Sequence, residues 1–252
     1  MARDVDDAIA ADVTPPMRHH FQHIYNHLPE TYDAFVSRED WEGNIERTLL
    51  DIRRPDGLDV VEIGAGTGRL TALLAERAKS VAAFDESSAM LDIARKRLLK
   101  IPHNRWSLSV SDNCRIPLNS ASADLVVGGW TLGHLTEWYV GDWEEKLDAV
   151  MLELRRLQRP TCTVVLFETM GTCTETPAAP TNALARYYEL LETRYGFKKV
   201  VIRTDYKFAN ETEAEQSMRF FFGAALGDKV KAIGSNVVME WTGVWWRHAD
   251  RD

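Results

Sequence analysis

Leu58-Asp59-Val60-Val61-Glu62-Ile63-Gly64-Ala65-Gly66-Thr67-Gly68-Arg69-Leu70 is the stretch from which the fold can be read. Its first six residues are β-branched and apolar enough for a buried strand. Glycines follow at once, where the backbone must turn sharply and let a ligand approach with no Cβ in the way. From Arg69 to Lys79 the leucines 70, 73 and 74 fall on one helical face. A helix starting there offers free N–H donors and the positive end of its dipole. The spacing is G-x-G-x-G. A dinucleotide turn places its third glycine one residue later, where this chain has Arg69. Glu62 would repel a pyrophosphate but could help hold an ammonium.

Outward from this turn, strand-like and helix-like segments alternate, the mark of a parallel sheet covered on both faces. Strands are expected at Val81–Phe84, Trp106–Val110, Ala123–Val127, Cys162–Phe167, Phe197–Thr204 and Val237–Trp246. Helices are expected after Ser88 as N-cap, at Trp143–Leu157, Leu184–Tyr195 and Glu211–Leu226. With Leu58–Ile63 this makes seven strands, an α/β doubly wound, Rossmann-like sheet. Residues 1–52 are read as an N-terminal extension, helical from Arg18 to Ile52, and 53–252 as the domain proper. The extension is expected to lie as a lid over the carboxyl ends of the strands, where such sheets bind ligands.

Asp85 ends the second strand, where a carboxylate can accept from ribose hydroxyls. Glu86 follows beside an adenine edge, and Asp112-Asn113 after the third strand can meet the adenine amino group and ring. Gly128, Gly129 and Trp130 end the fourth strand. With these residues in place, Leu58 to Leu135 resembles the cofactor-binding half of the class I methyltransferase superfamily, and Met239 to Trp246 resembles the last strand of its small-molecule members. The resemblance implies a seven-stranded sheet with an antiparallel last strand, S-adenosylmethionine (SAM) as methyl donor, and a small-molecule acceptor. It implies that Gly64, Ala65, Gly66 and Gly68 meet the methionine part of SAM, Asp85 the ribose and Asp112 the adenine. Tyr32 resembles a tyrosine that many members place against the cofactor from the N-terminal helices.

Methyl transfer is an in-line displacement that needs alignment, exclusion of water and sometimes a base. His134, past the fourth strand, is a candidate base or a loop brace. Glu168, ending the fifth, is a candidate base or cation ligand, or an acceptor for the Gly171-Thr172 turn. Trp130 and Tyr188 are candidate substrate contacts. His19, His23 and His27 share a helix face, which rarely completes a metal site alone, so no metal is expected.

The net charge of −8 and the lack of an Asn/Asp-Pro-Pro-aromatic tetrad after the fourth strand disfavour nucleic-acid substrates. No apolar run reaches the ~18 residues of a membrane helix. Three cysteines without a CxxC pattern fit free thiols and a cytoplasmic location. Disorder is not expected outside the first dozen residues, where Asp4, Asp6, Asp7 and Asp12 sit among alanines. The same fold could also serve a SAM-binding module that transfers nothing.

Overall fold

The computed structural model describes residues 15–249, with side chains from residue 20. The expectations for the first dozen residues and the side chain of His19 lie outside the described residues. The chain begins with α1 (Pro15–His27), α2 (Pro29–Val36) and α3 (Asn44–Ile52). It then runs through β1 (Asp59–Ile63), α4 (Arg69–Ala75), β2 (Ser80–Asp85), α5 (Ser88–Leu98), β3 (Trp106–Val110) and β4 (Ala123–Gly129). A 3-10 turn (Leu132–His134) leads into α6 (Leu135–Trp138), α7 (Trp143–Leu157), β5 (Gln158–Thr172), α8 (Asn182–Thr193) and β6 (Lys198–Arg203). The last elements are β7 (Tyr206–Lys207), α9 (Glu211–Phe222), α10 (Ala224–Ile233), β8 (Val237–Val238) and β9 (Glu240–His248).

Seven strands form one sheet in the order β3-β2-β1-β4-β5-β9-β6. Five pair in parallel from β3 to β5, and β9 runs antiparallel to both β5 and β6. This is the expected fold class. Leu125, Val126 and Val127 of β4 are all fully buried, because helices cover both faces of a central parallel strand. Each such side chain contributes roughly 1.5–3 kcal/mol by leaving water. On one face α3, α4 and α5 contribute Leu49, Leu74 and Leu91 to the core; on the other, α7 and α8 contribute Leu147, Leu154 and Tyr187. The cap of α5 is Ser87 rather than Ser88, its hydroxyl accepting from the Met90 N–H.

A third core lies outside the sheet and joins α1 and α2 to the excursion between β6 and β9. Phe35 of α2 stacks on Phe221 of α9 at 4.0 Å and on Tyr206 at 4.9 Å. Two expected elements are broken here. The helix expected over Glu211–Leu226 ends at Gly223 (φ 89°), which turns the chain into α10 and makes a helical hairpin. The strand expected over Val237–Trp246 divides at Met239: β8 pairs with β7, while the Met239 carbonyl accepts from the Cys173 N–H at 2.7 Å and β9 enters the main sheet. The hairpin thus shares a roof with the N-terminal helices.

Candidate active site

Gly64, Gly66 and Gly68 all adopt positive φ (63°, 54° and 78°). At Gly64 an added Cβ would lie 2.2 Å from Thr131 Oγ1, and at Gly68 it would lie 2.9 Å from the Ala94 Cβ. At Gly66 the nearest atom would be the Met90 Cε at 3.6 Å. The outer two glycines let the turn pack against its own protein, while the middle one leaves a cradle. Asp85 ties this cradle down: Oδ2 accepts from the Gly66 N–H and Oδ1 from the Ser87 N–H, both at 2.8 Å. Each oxygen keeps acceptor capacity. Burial raises the pKa of this carboxyl. An open glycine cradle beside a carboxylate with lone pairs to spare fits the amino-acid and ribose parts of SAM.

Glu62 is placed differently from the sequence expectation. It is 1% exposed, sealed beneath the turn against Thr71 of α4. Burial pushes its pKa up to about 8. Sealed in this way it braces the turn from below, with Oε2 left without a hydrogen-bond partner. Glu86 and Asp112 lie on the exposed rim beyond β2 and β3, with Asp112 Oδ1 accepting from the Cys114 N–H at 2.7 Å. Asn113 donates to Thr131 Oγ1 at 3.3 Å. Gly129 ends β4, and Trp130 follows at φ 51°, a left-handed conformation unusual for a bulky residue. The Arg69 guanidinium covers its ring at 4.3 Å.

Beside this turn the roof encloses a cavity of about 740 Å³. Trp130, His134, Glu168 and Tyr32 all line it, so the structure gathers these four sequence candidates. The His134 imidazole lies 3.0 Å from the Tyr25 hydroxyl and stacks on Trp138 at 4.8 Å. Burial lowers its pKa to about 4, so it is neutral at pH 7. Glu168 does not serve the Gly171-Thr172 turn. Its Oε1 accepts from the Gly133 N–H at 3.0 Å and the Tyr187 hydroxyl at 3.3 Å, and burial pushes its pKa up to about 7. Tyr188 is not brought to the cavity. It is buried against Trp245, and its hydroxyl donates to the Thr169 carbonyl at 2.7 Å, because α8 buries a face wide enough to take both tyrosines.

Sequence reasoning missed three features of this cavity. Tyr25 of α1 reaches His134, and the Tyr25 carbonyl accepts from Ser87 Oγ at 3.2 Å, pinning the lid to the cofactor side. Glu39 pairs with Arg69 at 2.7 Å, both largely buried. Glu240 begins β9 inside the wall. An acid opening an otherwise apolar run, as Glu240 does, was the available signal. His23 and His27 lie with ring centroids 4.9 Å apart on an exposed helix face, and among the described residues no group of three or more His, Cys, Asp or Glu is arranged to hold a metal. No described helix is long and apolar enough to cross a membrane.

A family profile described as a methyltransferase domain matches residues 60–161. An uncharacterised methyltransferase from Oceanobacillus iheyensis is 27% identical over 217 residues, 77% of this chain and 95% of its own. Other curated relatives align over about 60% of their own length. A SAM-dependent methyltransferase from Aquifex aeolicus superposes with a TM-score of 0.54 at 16% identity, covering 86% of this chain and 97% of that one. A Haemonchus contortus phosphoethanolamine N-methyltransferase, in complex with phosphomonomethylethanolamine and S-adenosylhomocysteine, superposes with a TM-score of 0.58 at 16% identity. It covers 94% of this chain and 61% of that one.

Proposed function

We propose that the chain is a class I methyltransferase with SAM as its cofactor, and that it moves a methyl group to an O, N or C atom of a small-molecule acceptor held in the 740 Å³ cavity, a reading supported by the methyltransferase-domain match and the shared fold. One observation carries this reading. The segment after β4 serves both compartments, since Thr131 fills the space beside Gly64 of the cofactor turn while its neighbours Trp130 and His134 line the cavity. A cofactor on the turn and an acceptor in the cavity would meet there.

SAM supplies an electrophilic methyl group on a sulfonium. The chain's part is to bind, align and exclude water. Asp85 holds the ribose, the backbone at Gly64, Ala65, Gly66 and Gly68 follows the methionine moiety, and Glu86, Asp112 and Asn113 meet the adenosine at the rim. Gly129 and Trp130 flank the reacting centre, and Tyr32 closes on it from the lid. His134, which lines the cavity and is held by Tyr25, is the candidate base where the acceptor must lose a proton. Glu168 fixes Gly133 and thereby the approach to His134. In this reading residues 1–52 act as the lid of a domain spanning 53–252, and the protein works in the cytoplasm on a free small molecule, with neither nucleic acid nor membrane as partner.

Calorimetric titration with SAM, S-adenosylhomocysteine and NAD tests this. Both sulfur compounds should bind, NAD should not, and Asp85→Ala should abolish binding in a protein that still melts cooperatively. A folded protein that binds neither sulfur compound would sink the reading.

A further inference from the structure

The cavity has two poles. Trp130, His134 and Glu168 form the near pole at the ends of β4 and β5, next to the glycine turn. Glu240 and Glu39 form the far pole. Glu240 pairs in register with Thr172, four residues beyond Glu168 along β5. β5 is irregular between Thr169 and Thr172, and on β9 Glu240 lies three residues from Gly243, the partner of Glu168, so at about 3.3 Å per residue the backbones of the two poles are about 10 Å apart.

The far pole has unmet hydrogen-bonding capacity. Glu240 is 2% exposed; Oε1 accepts from Thr169 Oγ1 at 2.9 Å, and Oε2 has no hydrogen-bond partner. The Thr172 hydroxyl lies close enough to favour the carboxylate, but it does not satisfy Oε2. Glu39 repeats the pattern: Oε2 takes Arg69 and Oε1 is unpartnered, the nearby Thr204 hydroxyl being engaged with Thr242 at 2.7 Å. Buried acceptors of this kind are normally satisfied, and two side by side on one cavity wall suit a ligand that brings hydrogen-bond donors.

Charge indicates what kind of donor. Arg69 is committed to Glu39, the Val36 carbonyl and the Trp130 ring. Among the described residues, the lining acids Glu137, Glu168 and Glu240 have no ion-pair partner, and the other basic residue of the lining, Lys229, is exposed at the roof, so acids outnumber bases on the wall. The neighbouring Arg203 is paired with Asp205, which also accepts the Glu240 N–H at 3.0 Å, so the pair brings no net positive charge to Glu240. The rings of Tyr32, Phe35, Tyr206 and Phe221 contribute to the walls, and ring faces attract cations.

We propose that the methyl acceptor is an elongated apolar or aromatic molecule bearing a basic amine, whose ammonium docks on Glu240 beside Glu39, at the pole remote from the atom that receives the methyl group. This rests on the methyltransferase reading above. An ammonium at Glu240 would supply the missing donors and balance the surplus acid. Without it, burial pushes the Glu240 pKa up to about 8, so the empty cavity holds a neutral acid at pH 7. Docking a cation ionises the acid and releases its proton.

The test uses protein saturated with S-adenosylhomocysteine, titrated calorimetrically with tyramine, tryptamine and octylamine. The controls are 4-ethylphenol, 3-ethylindole, octanol and 3-(4-hydroxyphenyl)propionate. At least one amine should bind tenfold or more tightly than its neutral counterpart, the carboxylate should not bind, and buffers of different ionisation enthalpy should reveal close to one proton released. Glu240→Gln should erase both the preference and the proton release while the affinity for S-adenosylhomocysteine stays unchanged. No amine exceeding its neutral counterpart, preference for the carboxylate, or a preference that survives Glu240→Gln each overturns the proposal. Failure of S-adenosylhomocysteine to bind at the outset would instead overturn the methyltransferase reading.

Discussion

Gly64→Ala and Gly66→Ala should separate folding from cofactor binding within one turn. Both residues are left-handed, so either alanine pays about 1–2 kcal/mol for its Cβ. At Gly64 the new carbon would also overlap Thr131, 2.2 Å from Oγ1 and 2.4 Å from Cβ, whereas at Gly66 the nearest atom is 3.6 Å away. Overpacking of the first kind costs a further ~1–3 kcal/mol. The expected losses are therefore about 2–5 kcal/mol for Gly64→Ala and 1–2 for Gly66→Ala. At 2–4 °C per kcal/mol for a chain of this size, Gly64→Ala should lower Tm by about 4–20 °C and Gly66→Ala by about 2–8 °C. Thr131→Gly in the Gly64→Ala background should return part of the loss. Gly66→Ala, though better folded, should bind SAM more than tenfold worse, because its methyl occupies the cradle. Differential scanning fluorimetry and calorimetry read the two effects. The reasoning is refuted if Gly66→Ala melts as low as Gly64→Ala, or binds SAM like the parent.

Other consequences follow from the buried groups. Glu62 has a folded pKa of about 8 against the usual 4.5, so the stability it permits is complete below pH 4.5 and falls as pH rises through 8. Glu62→Gln should thus stabilise the protein by about 2–4 kcal/mol at pH 8 and by little at pH 4.5, as urea titrations at the two pH values would show. His134 has the opposite sign: with a folded pKa of about 4 against 6.5, stability is complete above pH 6.5 and should drop by about 2 kcal/mol by pH 5. That acid limb should flatten in His134→Asn, and an unchanged limb would place the loss elsewhere. Tyr188→Phe removes a hydrogen bond to the Thr169 carbonyl and should cost about 1–2 kcal/mol in chemical denaturation while leaving acceptor KM unchanged. Glu39→Ala leaves Arg69 largely buried without its partner and should cost about 3–5 kcal/mol by the same measurement.

The sheet was legible because its signals are local. The β1-turn-α4 unit has its own periodicity and glycines, and α7 falls on the bounds its apolar spacing set. The roof was less legible because its breaks depend on distant contacts. Residues 211–226 keep a helical pattern through Gly223, and only the chain's need to double back over the cavity opens it there. Tyr188 was misplaced because position after β5 does not reveal which side of a helix a sheet will bury. Glu39 and Glu240 share one cavity from opposite ends of the sequence, and no spacing rule connects them.

The position of β9 has a consequence for biosynthesis. It is made after both of its neighbours, yet it sits between β5 and β6 rather than at a margin. Until the ribosome has passed residue 248, two strands wait with bare backbone edges facing an empty lane. Such unpaired edges on a nascent chain are the kind of surface that recruits chaperones or aggregates. A truncation only a few residues into Trp245-Trp246 would leave the glycine turn untouched and still prevent the sheet from closing.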